Sequence, residues 1–185
     1  MAVVLLWPPM PFKASYSKML MTGRTGSLGL GGFLMSWQNW ADFVRASIGV
    51  YALTVGIEID PAVSGAGTKA LLVKAAVLTP GVLLQVIRKH QKGLTFFAPV
   101  FYLSGVTLML AGYSEGGFAL FAGWLFCVGG KNPIYQLPVM GVALGVAGYI
   151  FNLSLPLMLN CALIFMPFVL GILFEKRLVI MSRSA

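Results

Sequence analysis

A lysine inside an apolar run is the side chain in this sequence whose placement most needs a reason. Lys74 falls about one and a half turns into the apolar stretch 68–87, and a lysine at the centre of a bilayer costs about 2.5–3.5 kcal/mol on insertion scales. Two arrangements are open to it. Its ammonium can snorkel outward beside Lys69, or it can meet Glu58, Asp60 or Glu115, or an anionic solute. Gln85 lies eleven residues further on, which is three helical turns, so the two share one polar stripe. Asn160 sits about a turn inside the last apolar run and is suited to hydrogen-bonding between helices. Lys74, Gln85, Glu58, Asp60, Glu115 and Asn160 are therefore the candidate solute or charge site. Asp42 and Arg45 are three residues apart and can pair on one helix face. They read as an ion pair at the membrane surface, with a ligand or gating role as the alternative.

Most other chemistry is missing. His90 is the sole histidine, so no second imidazole can share a haem or copper, and none lies in an apolar run to activate a serine such as Ser104. Asp42 and Asp60 fall near opposite ends of one helix, which rules out an intramembrane aspartate pair. Acidic clusters that hold magnesium are lacking. Cys127 and Cys161 match no CxxC, zinc or haem spacing and read as packing thiols. No phosphate-binding glycine motif follows a strand, and no carboxylate stands in mid-membrane for a proton relay. The expectation is a chain that is not an enzyme and uses no cofactor or metal.

Composition says what these residues are dissolved in. The chain has 185 residues, 58% hydrophobic and 10% charged, where soluble domains have about 45–50% and about 25%. Too few charges exist to cover a soluble surface. Residues 134–174 contain no Asp, Glu, Lys, Arg or His, a run about twice what one helix needs to cross roughly 30 Å of hydrocarbon. The net charge of +8 fits contact with anionic lipid headgroups. Nucleic acid is not an expected partner, since a membrane bundle offers no groove-reading element.

Six helices must position the candidate residues, over about 40–57, 68–87, 96–113, 116–130, 134–151 and 155–174. The fourth, at 1.5 Å per residue, spans only roughly 22 Å. With these spans ten basic residues fall on one side of the membrane: Lys13, Lys18, Arg24, Arg88, Lys89, Lys92, Lys131, Lys176, Arg177 and Arg183. The other side receives Lys69 with Glu58, Asp60 and Glu115. That bias puts both ends of the chain on the cytoplasmic or matrix side. A bacterial inner membrane is the expected location, an organelle inner membrane the alternative.

Residues 1–36 differ from the rest. They are basic, hydroxyl-rich and free of acids. The segment reads as a flexible or cleavable basic extension ahead of the transmembrane helical domain 37–185. Three accounts stand: an organelle transit peptide, a flexible tail, or translation starting later, at Met35, Met19 or Met21.

The odd-numbered helices share a pattern. Gly49-Val50, Gly105-Val106 and Gly141-Val142 are each followed, seven residues after the glycine, by Gly56, Gly112 and Gly148. Pro80 and Pro167 each stand nine residues before a lysine, Lys89 and Lys176, whereas the fourth helix breaks this match, having no proline. Three helical hairpins descended from one would explain both, related by an axis along the membrane normal; chance spacing among 22 glycines is the alternative. Small residues also let helices approach closely where lipid supplies no hydrophobic drive. Gly49, Gly56, Gly105, Gly112, Gly141, Gly145 and Gly148 are thus the expected packing positions, with Gly141 and Gly145 forming a GxxxG.

Taken together these features imply an all-α, polytopic transmembrane bundle. The leading functional expectation is a non-catalytic packing or assembly subunit whose partners are membrane lipids and other membrane-protein subunits. A channel or transport component for a small or anionic solute is the alternative.

Overall fold

A computed structural model describes residues 2, 6, 30–59, 67–90, 93–130, 133–151, 154–175 and 178–180. Seven α-helices occur among them: α1 Leu30–Met35, α2 Trp37–Ile59, α3 Gly67–Val86, α4 Val100–Leu110, α5 Tyr113–Gly129, α6 Gln136–Phe151 and α7 Leu155–Leu173. The chain is mostly helical, as its composition implies. The six expected helices appear as α2 to α7, with ends displaced by a few residues.

The largest displacement has a local cause. Pro99 disfavours helical geometry in the residue before it, so the expected helix 96–113 starts extended. Gly93–Ala98 forms strand β2, and α4 begins only at Val100. At its other end α4 stops at Ala111, and Gly112 adopts φ +93°, a left-handed conformation that only glycine enters freely. Tyr113 then opens α5 directly. Gly112 is thus a corner between helices rather than a packing position within one.

A small sheet, absent from the sequence expectation, joins distant parts of the chain. Strand β1, Ile87–His90, pairs antiparallel with β2, setting Ile87 opposite Phe96 and His90 opposite Gly93. Strand β3, Leu178–Ile180, pairs parallel with β2, setting Phe96 opposite Leu178 and Ala98 opposite Ile180. The rings of Phe96 and Phe174 stack beside it, 5.4 Å apart. The sheet therefore gathers the ends of α3 and α7 with the start of α4. These are connections that the charge pattern assigns to one and the same side.

Helix α4 is the centre of the molecule. Every residue from Val100 to Thr107 is buried, as is Leu110. Helix α2 runs along α4, α5 along α6, and α7 packs on α6, α4 and α3. Leu78, Val82, Leu103, Val106, Leu144 and Ile164 are fully buried among them.

The segment 1–36 is not free of this core where it is described. Leu6 is 1% exposed, and the Tyr102 hydroxyl donates to its carbonyl oxygen at 3.1 Å. Phe33 on α1 is buried with its ring 5.0 Å from that of Phe101. Lys13, Lys18 and Arg24 lie outside the described residues.

Glycine packing is more selective than the spacing implies. Gly49, Gly105, Gly141 and Gly148 are buried. A methyl group on Gly105 would strike the Phe43 carbonyl oxygen and lie 3.1 Å from the Ala46 Cβ. One on Gly141 would lie 2.5 Å from the Phe165 ring, and one on Gly123 would lie 2.8 Å from Met140. Gly56 and Gly145 differ from expectation: both are exposed, with nothing within 4 Å of an added Cβ. The first glycine of each repeated pair thus lies in the interior. The second is exposed on α2, a corner after α4 and buried on α6.

Two helices, α3 and α7, are long and apolar enough to cross a membrane, and α4 and α6 are shorter apolar helices. In the most apolar stretches of α3 and α7 only 28% and 33% of residues are buried within the chain.

Candidate functional site

Polar side chains concentrate along α4 because its neighbours are apolar almost everywhere else. Ser104 and Thr107 are one turn apart on this helix and both fully buried. Gln136, at the start of α6, donates from Nε2 to Ser104 Oγ at 3.1 Å, and that hydroxyl points at the Met140 sulfur, 3.7 Å away. Thr107 meets Asn160 of α7: the Asn160 amide nitrogen donates to the Thr107 carbonyl oxygen at 3.3 Å. The Thr107 hydroxyl has a single proton. It lies 2.8 Å from the Leu103 carbonyl oxygen and 3.3 Å from Asn160 Oδ1, so the shorter bond, within the helix, is favoured. Gln136 Oε1 is buried without a hydrogen-bond partner.

A second polar group lies where α2, α3 and the start of α4 meet. Asp42 and Arg45 form an ion pair of 3.2 Å, with side chains 14% and 17% exposed. The Arg45 guanidinium stands 6.0 Å from the centre of the Tyr102 ring, at the outer limit of cation–π range. Asn39 is buried, its amide nitrogen donating to the Phe33 carbonyl oxygen at 2.9 Å. Gln85 of α3 is 2% exposed. Asn39, Asp42, Gln85 and Tyr102 border one small cleft floored by Pro99 and Val100.

Aromatic rings close the same end of the bundle. Trp40 and Trp124 stack 5.8 Å apart at 10°, and Phe101 meets both edge-on at 5.3 and 5.2 Å. The Trp40 indole donates to the Leu34 carbonyl oxygen at 2.8 Å, which holds α1 against α2.

The structure distributes the sequence candidates over several places. Gln85 joins Asn39 and Asp42, not Lys74. Lys74 is half-buried on α3, roughly 16 Å from Gln85 along the helix at 1.5 Å per residue. The stripe between them carries Leu78 and Val82, both fully buried. Glu58 is exposed at the end of α2, and Glu115 is half-buried in the first turn of α5. Among the described residues neither acid pairs with Lys74. Asp60 lies outside the described residues. Asn160 is fully buried and bonded to Thr107.

Sequence reasoning missed Asn39, Tyr102, Thr107 and Gln136. A signal for one of them existed: Thr107 is spaced to share a face with Ser104 on a helix that has no charged residue. Among the described residues no cluster of three or more His, Cys, Asp or Glu could hold a metal ion. Comparison with protein-family models, curated proteins and solved structures finds no match for the chain.

Proposed function

We propose that this chain is an integral membrane protein crossing the bilayer six times and acting as a non-catalytic packing or assembly subunit. The observation that carries the proposal is an inverted distribution of polarity. Ser104, Thr107, Gln136 and Asn160 are completely buried, while Phe121, Tyr149, Ile172 and Leu173 are 70–85% exposed. A soluble monomer rarely shows broad apolar patches, and a soluble core helix is mostly covered, unlike α3 and α7. Hydrocarbon as solvent accounts for both halves of the inversion, since buried polar groups must satisfy one another there.

The meeting of β1, β2 and β3 supports the even number of crossings. It brings together the connections after α3 and α7, which the basic residues assign to the cytoplasmic or matrix side. The three-hairpin ancestry gains support from Pro80 and Pro167, which lie within α3 and α7, the two helices that lead into edge strands of that sheet. Two of the polar groups along α4 are engaged across helices, Ser104 by Gln136 and the Thr107 carbonyl by Asn160, which favours packing over transport. The channel reading rests on Lys74 and Gln85, and the fully buried Leu78 and Val82 stand between them.

Two measurements test the proposal. With Cys127 and Cys161 replaced by alanine, single cysteines at Ser114 and Ser154 should label from one face of sealed vesicles and a cysteine at Ser182 from the other. Labelling of all three from one face would overturn the topology. Proteoliposomes should show no flux of chloride, phosphate or small neutral solutes above protein-free vesicles. A flux that Lys74→Met abolishes would replace the subunit role with transport.

A further inference from the structure

Gln85 is 98% covered, yet its side-chain amide nitrogen has no hydrogen-bond partner within the chain. Buried donors in native proteins are nearly always satisfied, by protein or by ordered water. Gln85 lines the cleft between α2, α3 and α4 together with Asn39 and Asp42. The room there, about 10 Å³, is that of one water molecule.

The chemistry of the walls selects the guest. Gln85 offers an N–H that needs an acceptor. The carboxylate oxygens of Asp42, paired with Arg45, accept hydrogen bonds. An anion would suit the amide but would share the cleft with the Asp42 carboxylate. A metal cation would suit the carboxylate but would face the amide N–H. A neutral guest that accepts on one side and donates on the other satisfies both walls, and a water molecule is the smallest that does so.

We infer that the cleft is a binding site for one ordered water, which accepts from Gln85 Nε2 and donates to the Asp42 carboxylate. The water acts as a clasp between α2 and α3, which touch each other only sparsely elsewhere. It also lies against the first turn of α4, so three helices are tied at one point. The inference rests on the geometry of the cleft and is independent of the subunit role.

The test uses the full chain in lipid nanodiscs with ¹⁵N-labelled glutamine. The Gln85 side-chain signal is identified by its disappearance in Gln85→Met. Magnetisation should pass from a long-lived water to the Gln85 amide, and it should be lost in the double variant Asp42→Val/Arg45→Met, which removes the acceptor without stranding the guanidinium. A Gln85 signal with no transfer from water in the parent chain, or transfer unchanged in the double variant, would overturn the site. Thermal unfolding of Gln85→Met gives an independent reading with opposite signs. A bridged amide predicts a fall in the midpoint, whereas a rise would mean that the donor was an unrelieved cost and the cleft dry.

Discussion

Asn160 on α7 donates to the backbone carbonyl oxygen of Thr107 on α4 at 3.3 Å, and the Thr107 hydroxyl stands at the same distance from Asn160 Oδ1. The contact ties the last helix to the central one through a main-chain acceptor that no substitution at Thr107 removes. Asn160→Leu should therefore destabilise more than Thr107→Val. A double-mutant cycle of the two in bicelles should return a coupling near zero, since the Thr107 hydroxyl bonds within α4 and the main-chain acceptor survives Thr107→Val. A coupling of about 0.6 kcal/mol, the average for side-chain bonds between membrane helices, would mean that the hydroxyl donates to Asn160 Oδ1 instead.

Gly105 and Gly145 should respond in opposite ways. Gly105→Ala drives a methyl group into the Phe43 carbonyl oxygen, with Ser47 Oγ 3.0 Å away. It should cost about 1–3 kcal/mol, the usual range for overpacking. Gly145 faces open space, so Gly145→Ala should gain up to about 1 kcal/mol from helix propensity. Unfolding midpoints of the two variants, measured in one detergent, decide the matter. A loss at Gly145 as large as that at Gly105 would mean that another molecule covers α6.

Leu6→Ala should lower stability by about 2–5 kcal/mol, as for a large core residue elsewhere. The side chain is almost wholly covered, and its carbonyl receives the Tyr102 hydroxyl. A chain beginning at Met35 loses both Leu6 and Phe33 and should unfold at a lower temperature than Leu6→Ala alone. Equal midpoints for the Met35 form and the full chain would return residues 1–34 to the status of a dispensable extension.

Trp40→Leu removes a ring that stacks on Trp124 and meets Phe43 and Phe101 edge-on. Aromatic pairs contribute about 0.5–1.5 kcal/mol each beyond burial. The loss should exceed that of Trp37→Leu, whose ring is 69% exposed. Equal effects would show that the cluster adds nothing beyond its apolar area.

The helices were legible because uninterrupted apolar runs between charged connections have few other uses. Their orientation was not, and the reason is physical. In α4 and α6 nearly every side chain is apolar, so periodicity does not mark an inner face. Glycine spacing is an incomplete substitute: Gly105 and Gly141 lie against other parts of the chain while Gly56 and Gly145 face open space within it, because spacing fixes a face but not what the face meets. The polar residues carried the missing information. Gln85 and Asn160 were singled out and both are interior, yet Gln85 serves a different neighbourhood from the one its stripe with Lys74 implied. Pro99 was visible too, and its restriction of Ala98 fits a helix that begins only at Val100. The pairing of β2 with β3 was out of reach, since nothing in residues 93–98 names a partner some eighty positions away.

The burial of α4 on nearly all sides bears on how the protein is made. Eleven residues give it a length of roughly 16 Å, so the crossing proposed for it must take in the extended residues that lead into it, and no residue of the helix is fully exposed. Such a segment gains little from leaving the translocon alone. Helix α2 is synthesised first and offers the seat for Gly105, but α6 and α7, which supply Gln136 and Asn160, emerge last. On the membrane reading proposed above, α4 is expected to stay at the insertion machinery until α6 and α7 emerge, and a ribosome stalled before α6 should leave it accessible to cross-linking there.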